Sequence, residues 1–470
     1  MSILTLSFYG LNLILITSWF FIPAPKAPSL TSCIRGGSDR FTSLISMNFN
    51  HPLVKINRPS GMFIRYNHSV PFPSDDFLQW FVGFSDAEGN FLISIDREFV
   101  RFRFKISLHL DDIQVLKLIQ SKLGVGSVTE ENINYCSFVV QDFLHIKNII
   151  CPIFLNFPLQ SNKRLDFKDF YQAILIKGDK GHKISEVGLR QITSLKNGLN
   201  LGRINNVDSP NADAANSFSC SINPNWFIGF IEGDGTFGIK NGSPYFQISQ
   251  KNSSLSLINA LKVFISSLPN TNYSLIPLSP PRVNTSINQK SNVISLTVNN
   301  IDSLYYFLLP FFDQSSFLSR KFLDFKLWRI SLLLHKFGYY FLPEGRQLLT
   351  DISNNINNNR YSTYINQYFI PFDDLIKRSN IILASNPPFN INLGKTHTEL
   401  SQNYSKSLVS KTVYIYKNNK LIEGSPFFSN SEAHKVLGLS SSSKICFRYI
   451  DTGKLYKNIY IISSRPLTKI

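Results

Sequence analysis

The chain has 470 residues, too many for one ordinary core, so two or three domains are expected. Hydrophobic residues at 43% and charged residues at 17% exclude a wholly disordered polymer, and 48 Lys and Arg against 31 Asp and Glu, a net +17, select polyanionic partners, either nucleic acid or an anionic membrane surface. The cysteines Cys33, Cys136, Cys151, Cys220 and Cys446 are odd in number, far apart and without a C-x-x-C pair, which argues against a disulfide framework and a zinc site.

Residues 1–75 read as a hydrophobic leader or upstream extension. Ile3 to Ile22 is an uncharged apolar run stopped by Pro23 and Pro25, long enough either to anchor in a membrane or to be a leader read through from an upstream frame. A first half, 76–206, opens with a helix that Ser74 or Asp75 can cap and that Gly89 closes. Within it, Arg101 to Leu110 alternates strictly, with Phe102, Phe104, Ile106, Leu108 and Leu110 on one face and Arg101, Arg103, Lys105, Ser107 and His109 on the other. The polar face suits a sheet laid along DNA, where Arg and Lys read guanine and Gln or Asn reads adenine; a merely solvated face is the alternative. Residues 207–222, rich in Asn, Ser, Ala and Asp, read as a linker.

A second half, 223–370, opens with a helix capped by Asn223, with Pro224 at its first position and Gly235 ending it in a left-handed conformation. The two halves repeat each other. Trp80 to Phe91 (WFVGFSDAEGNF) matches Trp226 to Phe237 (WFIGFIEGDGTF), Phe104 to His109 (FKISLH) matches Phe246 to Lys251 (FQISQK), and Lys163 to Phe167 (KRLDF) matches Lys321 to Phe325 (KFLDF). Each half reads helix, strand, strand, helix, strand, helix. Residues 371–408 read as a second linker, and 409–470 as a small module.

Residues four apart share a helix face, so Gly83 with Ala87 and Gly229 with Gly233 form two smooth stripes along which the helices can pack closely. That packing brings Glu88 and Asp234 together at the electronegative ends of both helices, where they repel unless a cation lies between them. Oxygen ligands and strong negative charge suit Mg²⁺ or another divalent cation such as Mn²⁺, and metals so placed support phosphodiester hydrolysis. Asp86 and Glu232 lie on a different face and are expected to cap or to form ion pairs.

Phe81 to Gly89 and Phe227 to Gly235 resemble the two signature motifs of the double-motif, monomeric LAGLIDADG homing endonucleases encoded in organelle introns. The resemblance implies an α+β fold of two pseudo-symmetric αββαββα halves forming a saddle over a double-stranded DNA target. It implies metal ligation by Glu88 and Asp234 with the carbonyls of Ala87 and Gly233. It places Lys163 and Lys321 near the scissile phosphates, and a water-positioning polar residue at Gln247 in one half but Lys105 in the other. The DNA-contacting strands are then Arg101, Arg103, Lys105, Ser107 and His109, and Gln247, Ser249 and Lys251. The abundance of Phe, Ile, Asn, Lys and Tyr fits an AT-rich organelle genome, with the mitochondrion expected and the chloroplast as alternative.

From Val413 to Ser463 the pattern is strand, helix, turn, helix, strand. Ser429 and Glu432 form a capping box, Gly438 ends the first helix, and Ser440 to Ser443 open a second that carries Lys444 and Arg448. This is similar to the helix-turn-helix nuclease-associated modular domain, which sets its second helix in the major groove. Two other functions compete with the endonuclease: a maturase that grips intron RNA and assists splicing, with or without DNA cleavage, and a membrane protein, motivated only by the apolar run.

Overall fold

The computed structural model describes residues 73–178, 184–200, 221–270, 278–364, 367–391, 394–409 and 412–467. The apolar run, most of the 207–222 linker, Cys33 and Cys220 lie outside them. Helix α1 (Asp75–Glu88) starts where the Ser74 hydroxyl accepts the Phe77 N–H, and Asp75 and Asp76 complement its first turn. It is apolar on nearly every side, so it is buried on nearly every side, from Phe77 to Asp86. Its counterpart, α6 (Pro224–Asp234), starts as the sequence predicts: Asn223 accepts the N–H groups of Asn225 and Trp226, with Pro224 in the first turn.

Between them lie β1 (Gly89–Asp96), β2 (Phe99–His109), α2 (Ile113–Leu123), β3 (Ser127–Glu130) and β4 (Tyr135–Val140). Helix α3 follows as one run, Phe143–His145, a π turn Ile146–Ile150, and Cys151–Asn156; then come α4 (Lys163–Lys177) and α5 (Glu186–Gly198). The second half repeats this with β5 (Gly235–Lys240), β6 (Ser243–Lys251), α7 (Leu255–Ser266), β7 (Asn284–Asn288) and β8 (Val293–Val298). Helix α8 again carries a π turn, Leu304–Leu308, between Ile301–Ser303 and Leu309–Asp313, and α9 (Lys321–Lys336) follows. The π turns precede Pro152 and Pro310, which have no N–H to give to a regular helical bond.

Each half therefore contains the αββαββα unit, with a four-stranded antiparallel sheet ordered β1-β2-β4-β3 or β5-β6-β8-β7. The registers match as well: Phe91 lies opposite Phe104, and Phe237 opposite Phe246. The periodicity reading of each half is one strand short. The strands it missed, β3 and β7, are sheet edges, and all five residues of β7 are exposed, so no apolar alternation marks it.

Helices α1 and α6 meet backbone to backbone. A Cβ added at Gly83 would stand 2.0 Å from the Trp226 carbonyl oxygen, one at Gly229 2.0 Å from that of Trp80, and one at Gly233 2.4 Å from the Ala87 Cβ. Gly235 does not end its helix in a left-handed conformation: it is extended, φ −81° and ψ 149°, as is Gly89 at −73° and 151°. Each helix runs straight into its strand, and glycine is needed because a Cβ would lie 2.6 Å from Ile231 O or 2.7 Å from Ser85 O.

Residues 371–408 are not a linker. They contain α11 (Phe372–Leu383) and most of α12 (His397–Val409), after α10 (Pro343–Ser353). Leu375 packs in the main core, and the His397 N–H donates to Asp302 at 2.9 Å. Asn380 and Asn403 lie on exposed faces and Ser379 is buried, so polar residues interrupt the apolar faces of these short helices and hide them from a compositional reading.

The C-terminal module has its own core, including Val413, Ile415, Ala433, Cys446 and Ile462. Strand β9 (Tyr414–Lys417) is flanked by β10 (Lys420–Leu421) and β11 (Tyr460–Ser463). Ser429 caps α13 (Asn430–Val436) by accepting the Glu432 N–H, and Glu432 accepts the Phe428 N–H in return. The second helix, α14 (Ile445–Tyr449), is shorter than predicted, because Ser440–Ser443 hydrogen-bond among themselves as a turn. His434 Nε2 accepts the Cys446 N–H at 3.1 Å and ties the two helices together.

Candidate active site

The α1–α6 contact ends in four charges. A Cβ at Gly233 would lie 3.1 Å from Glu88 Oε1, so the Glu88 carboxylate rests against the opposite helix. Burial, then the negative charge of Asp234, pushes the Glu88 carboxyl up to about 7. Burial also raises Asp234, although Gln250 Nε2 donates to its Oδ2 at 2.7 Å. Lys163 and Lys321 oppose both shifts. Burial lowers Lys163 itself, whose Nζ donates to Ser85 O at 3.1 Å and Ala87 O at 3.2 Å.

This donor set fits a hard divalent cation: two repelling buried carboxylates, with main-chain carbonyls beside them and, among the described residues, no thiolate or imidazole. The Ala87 carbonyl, an expected ligand, already receives the Lys163 ammonium. The buried thiols of Cys136, Cys151 and Cys446 are pushed up to about 11, 12 and 11, which makes them inert packing groups.

Asp86 and Glu232 do more than cap, and their symmetric roles are invisible in spacing. Asp86 accepts the N–H groups of Gln160 at 2.7 Å and Ser161 at 3.1 Å, the Ser161 hydroxyl, and the Trp226 indole at 3.0 Å. Glu232 accepts those of Leu318 and Ser319 and the Trp80 indole at 2.7 Å. Each carboxylate thus takes an indole from the opposite half. Each also fixes the turn that starts the lysine-bearing helix, where Ser161 Oγ accepts the Lys163 N–H and Ser319 Oγ that of Lys321.

The second-strand residues diverge. Gln247 donates to Ser249 Oγ at 2.8 Å, and Ser249 in turn meets Ser295 at 2.8 Å. The side chain that reaches Asp234 is Gln250, at the end of the core-facing parity of Phe246 and Ile248; a polar residue at that parity was the overlooked signal. Its counterpart is Leu108. Lys105 is ion-paired with Glu131, which also accepts the Ser137 hydroxyl.

On the saddle face Arg101, Arg103 and Ser107 are exposed, and Arg101 and Arg103 line a cavity of about 420 Å³ with Ser94, Gln141 and Lys177. His109 is not turned outward. It accepts the Asp111 N–H, packs against Tyr361 with tilted rings whose centroids are 4.3 Å apart, and meets Thr363 Oγ1 at 2.9 Å. The end of the strand is occupied by a segment from the other half. Lys251 is exposed at the end of β6, and Lys444 and Arg448 are exposed on the module. No helix among the described residues is long and apolar enough to cross a membrane.

The sequence profile of the LAGLIDADG endonuclease matches residues 81–174 and 227–332, one copy per half. "Uncharacterized mitochondrial protein RF1" of Saccharomyces cerevisiae is 26% identical over 83% of this chain and 82% of its own length. "Probable intron-encoded endonuclease 3" of Neurospora crassa is 27% identical over 52% of this chain and 48% of its own, so the chain spans about half of that relative. "Probable intron-encoded endonuclease Cox1-I1b" of Schizosaccharomyces pombe is 28% identical over 59% and 69%. Among solved structures, I-SmaMI bound to its uncleaved DNA target with calcium ions has a TM-score of 0.50 at 21% identity, covering 60% of this chain and 98% of that one. The I-LtrWI LAGLIDADG homing endonuclease bound to target DNA has 0.51 at 22%, covering 61% and 99%. Both likenesses are of fold.

Proposed function

We propose that this chain is a DNA endonuclease of the LAGLIDADG kind, as its two profile matches and its intron-encoded relatives support, and that it makes a site-specific double-strand break with a divalent cation held between Glu88 and Asp234. The observation that carries this reading is the pair of carboxylates forced together at the ends of two helices that touch through glycine, each raised by burial. Mg²⁺ is the cation proposed, and the mitochondrion, which the name of the Saccharomyces cerevisiae relative gives for that protein, the compartment. The chain acts as a monomer, since both halves of the pseudo-dyad belong to one polypeptide.

A bound divalent cation supplies activation of water and neutralisation of charge on the phosphate and leaving oxygen. The protein's own part is to orient and exclude. Asp86 and Glu232 hold the starts of α4 and α9 so that Lys163 and Lys321 approach the carboxylates, adding positive charge where the phosphate must sit. Gln250 fixes one carboxylate oxygen of Asp234, whereas Leu108 leaves Glu88 without an equivalent donor, so the two strands meet differently tuned pockets. Arg101 and Arg103 grip one half-site through charge; Gln247 and Ser249 present neutral hydrogen-bonding groups to the other, with Lys251 as the cation at the end of that strand. A maturase acting on intron RNA alone has no use for the buried carboxylate pair.

The test incubates the wild-type chain and a Glu88→Gln/Asp234→Asn variant with Mg²⁺ and DNA that joins the sequences flanking the gene's own intron. A double-strand break made by the wild type alone supports the proposal. Intact DNA in both reactions, with tight binding to unspliced RNA, replaces it with the maturase.

A further inference from the structure

In both halves the same small clasp closes around the catalytic region, and it involves no residue with a role assigned above. One helical turn after each active-site lysine stands an aspartate, Asp166 on α4 and Asp324 on α9. Asp166 Oδ1 accepts the Asn200 N–H at 3.0 Å, and Asp324 Oδ1 accepts the Asn357 N–H at 2.9 Å. The side-chain amide of each asparagine then donates to the first strand after the motif helix: Asn200 Nδ2 to Phe91 O at 3.3 Å, and Asn357 Nδ2 to Phe237 O at 2.9 Å. Both asparagines hold left-handed backbone, φ 55° and 58°, a conformation that asparagine tolerates better than most residues.

Phe91 and Phe237 each lie three residues after the motif carboxylate, and Asp166 and Asp324 three after the lysine. The clasp therefore pins the strand that follows each carboxylate to the lysine-bearing helix at a fixed spacing. Sequence separates these parts by 34 residues in one half and 33 in the other, the short match of Asn197-Gly-Leu-Asn200 to Asn354-Asn-Ile-Asn357 marks the two asparagines as equivalent, and the bonds coincide. In the second half the clasped segment is also a wall of the site: Asn357, Asn358 and Tyr361 line a cleft of about 350 Å³ with Asp234 and Lys321. The same segment runs on to the first half, where Ser362 donates to Asp111 from both its N–H and its hydroxyl at 2.8 Å.

We propose that Asn200 and Asn357 are positioning residues, each setting the distance between lysine and carboxylate in its own half and so the rate at which one DNA strand is cut. This rests on the endonuclease reading. A fault in one clasp misplaces one pocket and leaves the shared core and the saddle intact, so it produces a nick.

The experiment follows cleavage of a target labelled differently on each strand, using the full chain, Asn200→Gly and Asn357→Gly. Glycine keeps the left-handed backbone and removes only the amide. Each variant is expected to slow one strand about 10- to 100-fold in kcat, the two variants affecting opposite strands, with unchanged Kd for DNA and accumulation of nicked product. Asp166→Ala should copy Asn200→Gly, and Asp166→Asn, which retains an oxygen for the Asn200 N–H, should restore the rate. Equal slowing of both strands by each variant, or no slowing by either, overturns the clasp while leaving the endonuclease. A wild-type chain that cuts neither strand overturns the endonuclease reading and the clasp with it.

Discussion

Replacing Gly83 by alanine tests the helix contact on which the site depends. On an exposed helix that change stabilises by about 1 kcal/mol, because alanine is the better helix former. Here the new Cβ would lie 2.0 Å from Trp226 O, 2.8 Å from Trp226 C and 3.0 Å from Phe230 N, all backbone atoms that no rotamer change can move. Relief to an ordinary contact needs the helices to separate by about 1 Å, so the cost should reach or exceed the upper end of the roughly 1–3 kcal/mol typical of overpacking. Separation would also stretch the indole bonds from Trp80 to Glu232 and from Trp226 to Asp86. Gly233→Ala is the contrasting variant: its Cβ meets the Ala87 methyl at 2.4 Å and the Glu88 side chain at 3.1 Å, so it should cost less stability while displacing the carboxylate. Urea unfolding with parallel cleavage assays measures both. Gly83→Ala as stable as the wild type, or more stable, refutes the backbone contact; Gly233→Ala with full activity refutes the placement of Glu88.

Burial pulls His335 down to about 4, its Nε2 lying 2.6 Å from the Gly242 carbonyl oxygen. A depressed folded-state value means that the unfolded chain takes the proton first, so His335 contributes stability above about pH 6.5 that is lost as pH falls toward 4, by up to roughly 3 kcal/mol. Unfolding of His335→Gln should show a shallower fall over that window; an unchanged slope counts against the assignment. Lys336→Met leaves Asp302 charged and buried where Lys336 Nζ donated at 2.7 Å, and should cost about 3–5 kcal/mol by urea unfolding. Adding Asp302→Leu should recover only part, because Asp302 also accepts the His397 N–H. Arg101→Gln/Arg103→Gln should lower the slope of log Kd against log salt by about 1 for each phosphate that is no longer neutralised, while Gln247→Ala should weaken specific binding without changing that slope. Deleting residues 412–470 should weaken DNA binding at every salt concentration; unchanged affinity would remove the module from the interface.

What was legible in the sequence was whatever the fold repeats in place. Trp80–Phe91 against Trp226–Phe237 contains the close helix contact, the carboxylates and the strand entries, because sterics there admit few residues: glycine where backbones touch, tryptophan where an indole must cross to the other half. The pairing of Lys163 with Lys321 was legible for the same reason, since Asp86 and Glu232 fix the turns before them. What was hidden depends on partners distant in sequence. Gln250, Glu131 and the Tyr361–Thr363 segment over His109 are each defined by a contact the linear pattern does not hold. The helices in 371–408 were hidden because their apolar faces are narrow and interrupted by Asn and Ser.

The duplication also separates what the chemistry fixes from what each strand of DNA is free to demand. Frame features recur in both halves: the glycine contact, the exchanged indoles, the turns held by Asp86 and Glu232, and the π turns. Features facing the solvent side of each carboxylate do not recur: Leu108 stands where Gln250 reaches Asp234, Lys105 pairs with Glu131 where Gln247 bonds Ser249, and Arg101 and Arg103 correspond to Ser243 and Tyr245. A frame shared through one helix pair cannot drift in one half without displacing the other, since Gly83 and Gly229 each rest on the opposite backbone. The strand faces carry no such reciprocal constraint, so they can diverge toward two unlike half-sites. If these faces contact DNA as proposed, the expected target is asymmetric, its two half-sites meeting unlike sets of side chains.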